Sequence, residues 1–361
     1  MELSPFDYTG PLPPERVQGR DELLAELTRR VTARTPTALL GPRRFGKTSV
    51  LGRLAADLTE ATTITVDLMP VQSSLDAARA LLAALLDTGA AVSRDATQVA
   101  ASIGVNLVAL RGEIRATRAS QRPDPADAFA NLVDTLVRTA LRRPTIVVFD
   151  EFQQIATVAG GTAVLRAALQ HHYKDIGLLF AGSAPSAMRD IFANHDQPFL
   201  HQADIVEIEP LTLPAVQQII DDGFVRTGRR PGAAASLIHD FTAGHPLRTM
   251  QAAHATWLHA EQLPGDHAWG EALSTVRRAA LPSVSALYEQ LSVVQRKVLR
   301  ILANGGSIYG TAAHRLDLDS KGSAQAARSA LLADGHLTVD EGRDRVTDPF
   351  LADWLRTTHP L

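Results

Sequence analysis

The stretch Thr37–Leu51, TALLGPRRFGKTSVL, constrains this chain more than any other. Gly41-Pro42-Arg43-Arg44-Phe45-Gly46-Lys47-Thr48 satisfies the pattern G-x-x-x-x-G-K-[ST] at every fixed position. Ahead of it, Thr37 to Leu40 is a short, mostly apolar run that predicts a buried strand. Behind it, Val50, Leu51, Leu54, Ala55 and Leu58 recur at helical spacing. A strand, a glycine loop and a helix are what phosphate binding requires. Gly41 and Gly46 let the backbone curl so that its N–H groups converge on an anion. The helix adds its positive end and its free N–H groups. In this pattern Lys47 reaches the β- and γ-phosphates and the Thr48 hydroxyl holds Mg²⁺. Pro42, Arg43, Arg44, Phe45 and Ser49 complete the nucleotide-binding set. For Arg43 and Arg44 three readings stay open: phosphate contact, a cover over the nucleotide, or solvent.

A second signal follows Pro144. Thr145-Ile146-Val147-Val148-Phe149 is a continuous apolar run that ends in Asp150 and Glu151. Such runs belong to parallel sheets buried on both faces. Ligands of open α/β sheets bind at the carboxyl ends of the strands. Asp150 there reads as the residue that holds Mg²⁺ through its hydration shell. Glu151 reads as the residue that orients and deprotonates the attacking water. Phosphoryl transfer needs mainly positioning and charge neutralisation, so these parts define an NTPase site. Ile176 to Ser183 is another buried run with a polar end. Ser183 either touches the γ-phosphate or the water, or, like Ser186, caps the next helix.

Further strands are expected at Thr62–Leu68 and Ala203–Ile208, with helices between the runs. That alternation predicts a five-stranded parallel sheet flanked by helices. Residues 1–15 are proline-rich and expected to be extended, and residues 16–210 form the nucleotide-binding domain. Within it, residues 87–122 read as helical pieces broken by Gly89, Gly104 and Gly112, an insertion of unassigned role. Residues 211–285 read as a helical unit, with Pro264–Pro282 as a connecting segment. Residues 286–361 read as three helices, a β-hairpin at Leu337–Thr347 and a last helix, the order of a winged helix.

Composition excludes several classes. The 361 residues contain no cysteine, so disulfides, thiolate metal sites and cysteine nucleophiles are out. The net charge of −3 gives no general attraction to nucleic acid or an acidic membrane. No apolar run reaches the ~18 residues of a membrane span, and the first residues lack the basic-then-apolar form of a signal peptide. The simplest location is the cytoplasm.

His254 and His259 are five apart, and His239 and His245 six apart, so neither pair has the i, i+4 spacing of a helical zinc pair. Arg248 follows Gly244-His245-Pro246-Leu247 and either reaches back to the γ-phosphate from the helical unit or lies on the surface. In the C-terminal part, Arg296, Lys297, Arg300, Arg315, Lys321, Arg328, Arg343, Arg345 and Arg356 are matched one for one by Glu289, Asp317, Asp319, Asp334, Asp340, Glu341, Asp344, Asp348 and Asp353. Phosphate neutralisation supplies most non-specific DNA affinity. DNA is therefore weakly supported as a partner, and docking of a protein or self-association through the helical unit and winged helix is favoured.

These residues together resemble the archaeal-type AAA+ ATPases of the STAND branch, over nearly the whole chain. Val17-Gln18-Gly19-Arg20-Asp21-Glu22-Leu23 is similar to the family's N-terminal box, which lies near the adenine and implicates Val17. Gly41–Thr48 is similar to its Walker A, Asp150-Glu151-Phe152-Gln153 to its Walker B, and Gly182-Ser183 with Met188 and Phe192 to its sensor 1 segment. Gly244-His245-Pro246 is similar to its lid motif, which implicates Pro246. Asp348-Pro349-Phe350 and Trp354-Leu355 are similar to its winged-helix ending. The resemblance implies an ASCE-type AAA+ core, a helical lid and a winged helix, with ATP and Mg²⁺ as ligands and slow hydrolysis used as a switch. It leaves two alternatives open: an ATP-dependent DNA-binding or remodelling protein of the initiator/loader type, and a nucleotide-binding scaffold without turnover. Leu200 follows Pro198-Phe199 where members often carry Tyr, and the nuclease-like domain of some members is not expected within these 361 residues.

Overall fold

The computed structural model describes residues 3–88, 124–194, 199, 201–318, 320–340 and 342–361. Residues 89–122 of the expected insertion lie outside the described residues, as do Pro198, Leu200, Asp319 and Glu341. The chain forms two compact units. One comprises residues 22–41 and 50–208, the other residues 1–21, 42–49 and 209–361.

The first unit is built on strands β1 (Thr37–Leu40), β2 (Thr62–Asp67), β3 (Thr145–Asp150), β4 (Gly177–Gly182) and β5 (Asp204–Glu207). They lie in the order β2-β3-β4-β1-β5, and every neighbouring pair is parallel. All residues of β3 and β4 are buried, the condition of central strands covered on both faces. At the β5 edge only Val206 is buried. Helix α1 (Asp21–Thr32) precedes β1, and α2 (Lys47–Asp57), α3 (Ser74–Asp87), α4 (Pro125–Ala140), α5 (Gly161–Leu169) and α6 (Pro185–Ala193) lie between the strands in sequence, with Asp21 and Lys47–Ser49 counted in the other unit. Side-chain caps start two of them: Ser73 accepts from Asp76 N–H and Asp124 from Ala126 N–H. Register pairs Asp67 with Asp150 and Leu40 with Gly182, so the carboxyl ends of β1, β2, β3 and β4 share one edge of the sheet. Phe149, Phe152, Phe180, Phe192 and Phe199 fill the core, with Phe152 and Phe180 centred 4.7 Å apart. Phe152 directly follows Glu151, so its burial pins the chain just beyond the two acids.

The second unit holds α7 (Leu213–Arg226), α8 (Ala234–Thr242), α9 (Pro246–His259) and α10 (Gly265–Gln290). After them come α11 (Val293–Ala303), α12 (Thr311–Arg315), α13 (Lys321–Ala333), the antiparallel strands β6 (Leu337–Asp340) and β7 (Arg343–Val346), and α14 (Pro349–Thr358). Near the N-terminus Phe6 packs on Phe224 at 5.8 Å, in space left by Gly223. The expected connector at Pro264–Pro282 is instead part of α10, which runs 26 residues through Pro282. Proline read as punctuation is what misleads here. Ala268, Ala272, Val276, Ala280 and Val284 recur every fourth residue and are all buried. That stripe of burial outweighs one missing hydrogen bond at Pro282.

Candidate functional site

The phosphate loop is shaped by close approach and by left-handed backbone. A Cβ at Gly41 would lie 2.1 Å from Ile208 Cγ2, so only glycine fits where β1 ends. In the second unit, Arg44 has φ +69° and Gly46 φ +86°. These conformations curl the loop so that successive N–H groups can converge. Nothing lies within 4 Å of a Cβ built at Gly46, so the backbone angle alone demands glycine there. Lys47 opens α2, is 5% exposed, and donates from Nζ to the Pro42 carbonyl at 2.9 Å, spanning the loop. Arg43, Arg44 and Thr48 are exposed.

Neighbouring segments hold this loop in place. Ser49 Oγ accepts from Leu12 N–H at 2.9 Å. Arg20 donates to the Glu209 carbonyl at 2.7 Å and to the Phe45 carbonyl at 3.4 Å. Burial pushes the Arg20 guanidinium down to about 10, against the pull of Glu209, so it stays charged at neutral pH. The Phe45 ring meets His245 edge-on at 4.9 Å. Val17 is buried just before Gly19, which has φ +67°. Left-handed turns, a helix N-terminus, a buried ammonium across the loop and the hydroxyl-bearing Thr48 form a set that fits a polyphosphate with its metal.

At the end of β3 lie two buried carboxylates, Asp150 and Glu151. Glu151 has φ +55°, a left-handed conformation uncommon for a residue with a long side chain. Its N–H donates to Asp150 Oδ1 at 3.0 Å, and a 3-10 helix over Phe152–Thr157 follows. Glu151 Oε2 accepts from Ser183 Oγ at 2.6 Å, from Ser183 N–H at 3.3 Å and from Gln153 Nε2. Helix α6 has no side-chain cap, so the Ser183 hydroxyl serves Glu151 rather than the helix end. A Cβ at Gly182 would lie 2.4 Å from Met188 Cγ and 2.6 Å from Gln153 Oε1, so glycine is needed for these groups to close on the strand end. The resemblance places Gln153 in the Walker B-like segment without giving its side chain a role. The available signal was a polar residue directly after a buried Phe152, where the chain turns back over the acids.

In the second unit, Arg248 is 4% exposed, which removes the surface reading. It donates from Nε to Asp348 Oδ1 at 3.0 Å and from a second nitrogen to Asp348 Oδ2. It also donates to Gln251 at 2.8 Å and stacks 4.4 Å over Phe350. Asp348 caps α14 by accepting from Phe350 N–H at 2.9 Å. Burial raises the Asp348 carboxyl, but Arg248, His245 and the Phe350 N–H together hold it below the ordinary carboxylate value. His245 caps α9, and Pro246 takes the first helical position, where its missing N–H costs nothing. A Cβ at Gly244, which has φ +69°, would collide with the Leu211 carbonyl at 2.0 Å.

Several C-terminal bases have partners of their own. Arg328 on α13 is bidentate to Asp344 at 2.5 and 2.7 Å, and Arg345 pairs with Asp340 at 3.1 Å. Arg296 donates to the carbonyls of Leu291 and Glu289, and Arg300 to that of His359. Among the described residues no helix is long and apolar enough to cross a membrane.

Known proteins share this fold. Residues 16–181 match the AAA ATPase domain family. The Walker-type ATPase PABY2304 of Pyrococcus abyssi superposes with a TM-score of 0.70 at 16% identity, covering 97% of this chain and 99% of that one. The Aeropyrum pernix ORC2 protein, in its ADPNP-ADP complexes, superposes at 0.62 and 16% identity, covering 97% of this chain and 94% of that one. No curated protein matches the chain. The chain thus carries an AAA ATPase domain match over residues 16–181 and has the P-loop AAA+ fold, a five-stranded parallel sheet flanked by helices.

Proposed function

We propose that this chain binds ATP with Mg²⁺ and hydrolyses it slowly, using the cycle as a conformational switch of the STAND type. The observation that carries the reading is Glu151: a buried carboxylate at the carboxyl end of β3, one residue beyond Asp150, with one oxygen fixed by Ser183. The curled loop at 42–49 supports it, with its buried Lys47.

In this reading the loop N–H groups and Lys47 take the β- and γ-phosphates, and Thr48 and Asp150 hold the metal. The metal supplies charge neutralisation at the phosphate oxygens when it is bound. Glu151 is not needed for ground-state binding. It accepts the proton of the attacking water, so it acts only on the way to the transition state. Val17 and Pro246 line the nucleotide, and Arg248 with the Gly244-His245-Pro246 turn forms the lid sensor. The C-terminal segment is a winged helix. Its paired bases, Arg328 with Asp344 and Arg345 with Asp340, favour a protein partner or self-association over DNA. The same helix-and-hairpin order is what keeps the initiator/loader reading in view, and a mobility-shift assay with and without ATP separates the two. A cytoplasmic setting fits this role.

Turnover and binding test the proposal together. Glu151→Gln should bind ATP as wild type does and fail to hydrolyse it. Lys47→Ala should lose at least about tenfold in ATP affinity, the low end for one hydrogen bond to a charged group. Wild-type turnover by Glu151→Gln removes Glu151 as the base. Wild-type affinity of Lys47→Ala removes the phosphate-loop reading. ATP binding without any wild-type turnover leaves the scaffold alternative.

A further inference from the structure

Gln153 is a buried polar side chain beside the two acids. It is 8% exposed and sits in the first turn after Glu151. Its Nε2 donates to Glu151 Oε2, while its own Oε1 is buried with no partner. The amide has one workable orientation. Reversing it would set Oε1 against a carboxylate oxygen. An acceptor buried without a donor is costly, and an apolar residue of similar size would avoid that cost. What the glutamine provides in return is one N–H, placed on the carboxylate that the proposed chemistry depends on.

The three donors to Glu151 all reach the same oxygen. Ser183 Oγ, Ser183 N–H and Gln153 Nε2 converge on Oε2, and no described donor reaches Oε1. The last torsion of a glutamate side chain is broad, so the carboxylate does not choose its own plane. Ser183 holds it from the end of β4, and Gln153 holds it from the 3-10 turn after β3. Donors from two separate elements fix an orientation, where one donor fixes only a point.

We propose that Gln153 is a positioning residue for hydrolysis: with Ser183 it anchors Glu151 Oε2, so that Oε1 alone takes the proton of the attacking water. The inference rests on the reading of Glu151 as the base. In the step, the water O–H bond breaks and its proton goes to Oε1. The water oxygen bonds to the γ-phosphorus as the bond to the β–γ bridging oxygen breaks, and ADP leaves with that electron pair.

The test measures steady-state hydrolysis and the affinity for a non-hydrolysable ATP analogue in the full chain. Gln153→Leu should lower kcat by about tenfold or more, because misplacing a catalytic group by ~1 Å can cost 100-fold. Its KM for ATP and its affinity for the analogue should stay within about twofold of wild type, since only a transition-state contact is touched. Ser183→Ala should show the same split. Adding Gln153→Leu to Glu151→Gln should cost nothing further, because residues that act as a unit are not additive. A melting curve near that of wild type is expected for Gln153→Leu, which removes an unpaired acceptor, and Gln153→Met serves the same purpose should leucine's branch not fit. An unchanged kcat overturns the proposal. So does a raised kcat, which would mean that the two donors restrain the carboxylate, and so does a loss that falls on analogue affinity. If Glu151→Gln itself hydrolyses ATP at the wild-type rate, the base reading fails and this inference with it. If Glu151→Gln is inactive and Gln153→Leu is as fast as wild type, only the inference fails.

Discussion

Replacing His245 by asparagine should flatten the response of stability to mild acid. His245 is 5% exposed, and burial pushes its imidazole down from 6.5 to about 4. Asp348 pulls the other way, while Arg248 and Arg44 add to the fall. The ring has a structural use for staying neutral: its Nδ1 accepts from Arg248 N–H at 3.5 Å and caps α9. The unfolded chain binds a proton at His245 as the pH drops through 6.5, but the folded chain resists until about 4. The stability from this residue is therefore full above pH 6.5 and is lost as the pH falls from 6.5 to about 4. At about 1.4 kcal/mol per pH unit, the full loss is about 3 kcal/mol. Asparagine keeps an oxygen at the cap and cannot titrate. Asp348, held below its ordinary value, titrates under this window and does not confuse it. Burial also lowers His254 and His336, but they act alike in both proteins. Urea unfolding of wild type and His245→Asn between pH 7.5 and 4.5 reads the difference. Wild type should lose about 2–3 kcal/mol more than the variant across that range. Two parallel curves would refute the buried neutral imidazole.

Two further outcomes follow from the ion pairs of the second unit. Arg248→Ala leaves the half-buried Asp348 carboxylate without its guanidinium, and should cost about 1.5–3 kcal/mol in urea unfolding at neutral pH. The double variant Arg248→Met/Asp348→Asn should recover much of that, because both charges go together and asparagine keeps the cap. Random duplex DNA should bind weakly and with strong salt sensitivity. Sub-micromolar affinity near physiological salt would contradict the preference for a protein partner and favour an initiator-like role.

The parts legible in the sequence are those that a few adjacent residues decide. The strand, loop and helix around Gly41–Thr48 follow one another within a few residues, and β3 declares itself by the run Thr145–Phe149 that ends in two acids. Helix α10 was not legible, because proline has a strong local meaning and the buried stripe from Ala268 to Val284 shows only when it is traced through Pro282. The Ser183 hydroxyl could have capped α6, and nothing in its neighbours says otherwise. Its bond to Glu151 joins residues 32 positions apart and depends on the left-handed turn at Glu151. The partner of Arg248 is 100 positions away. A sequence shows that an arginine follows Gly244-His245-Pro246, but not that a carboxylate from the last helix cap is waiting for it.

That last contact sets a condition on the switch reading. In the proposed switch, a γ-phosphate that takes the Nε and Nη2 fork of Arg248 would replace both its hydrogen bonds to Asp348. A planar guanidinium binds either anion bidentately, so phosphate and carboxylate compete for the same fork. A ligand shifts the balance only by its differential affinity for the two arrangements. In the proposed switch ATP, which carries the γ-phosphate, would draw Arg248 away, and ADP, which lacks it, would leave the arginine with Asp348. Losing Arg248 would strand a carboxylate that still caps α14, at the start of Pro349–Thr358. The strain of that unpaired charge would fall on α14 and would favour return once the γ-phosphate is gone. Sensing and resetting would then depend on one buried pair, in which Asp348 matters as much as the arginine.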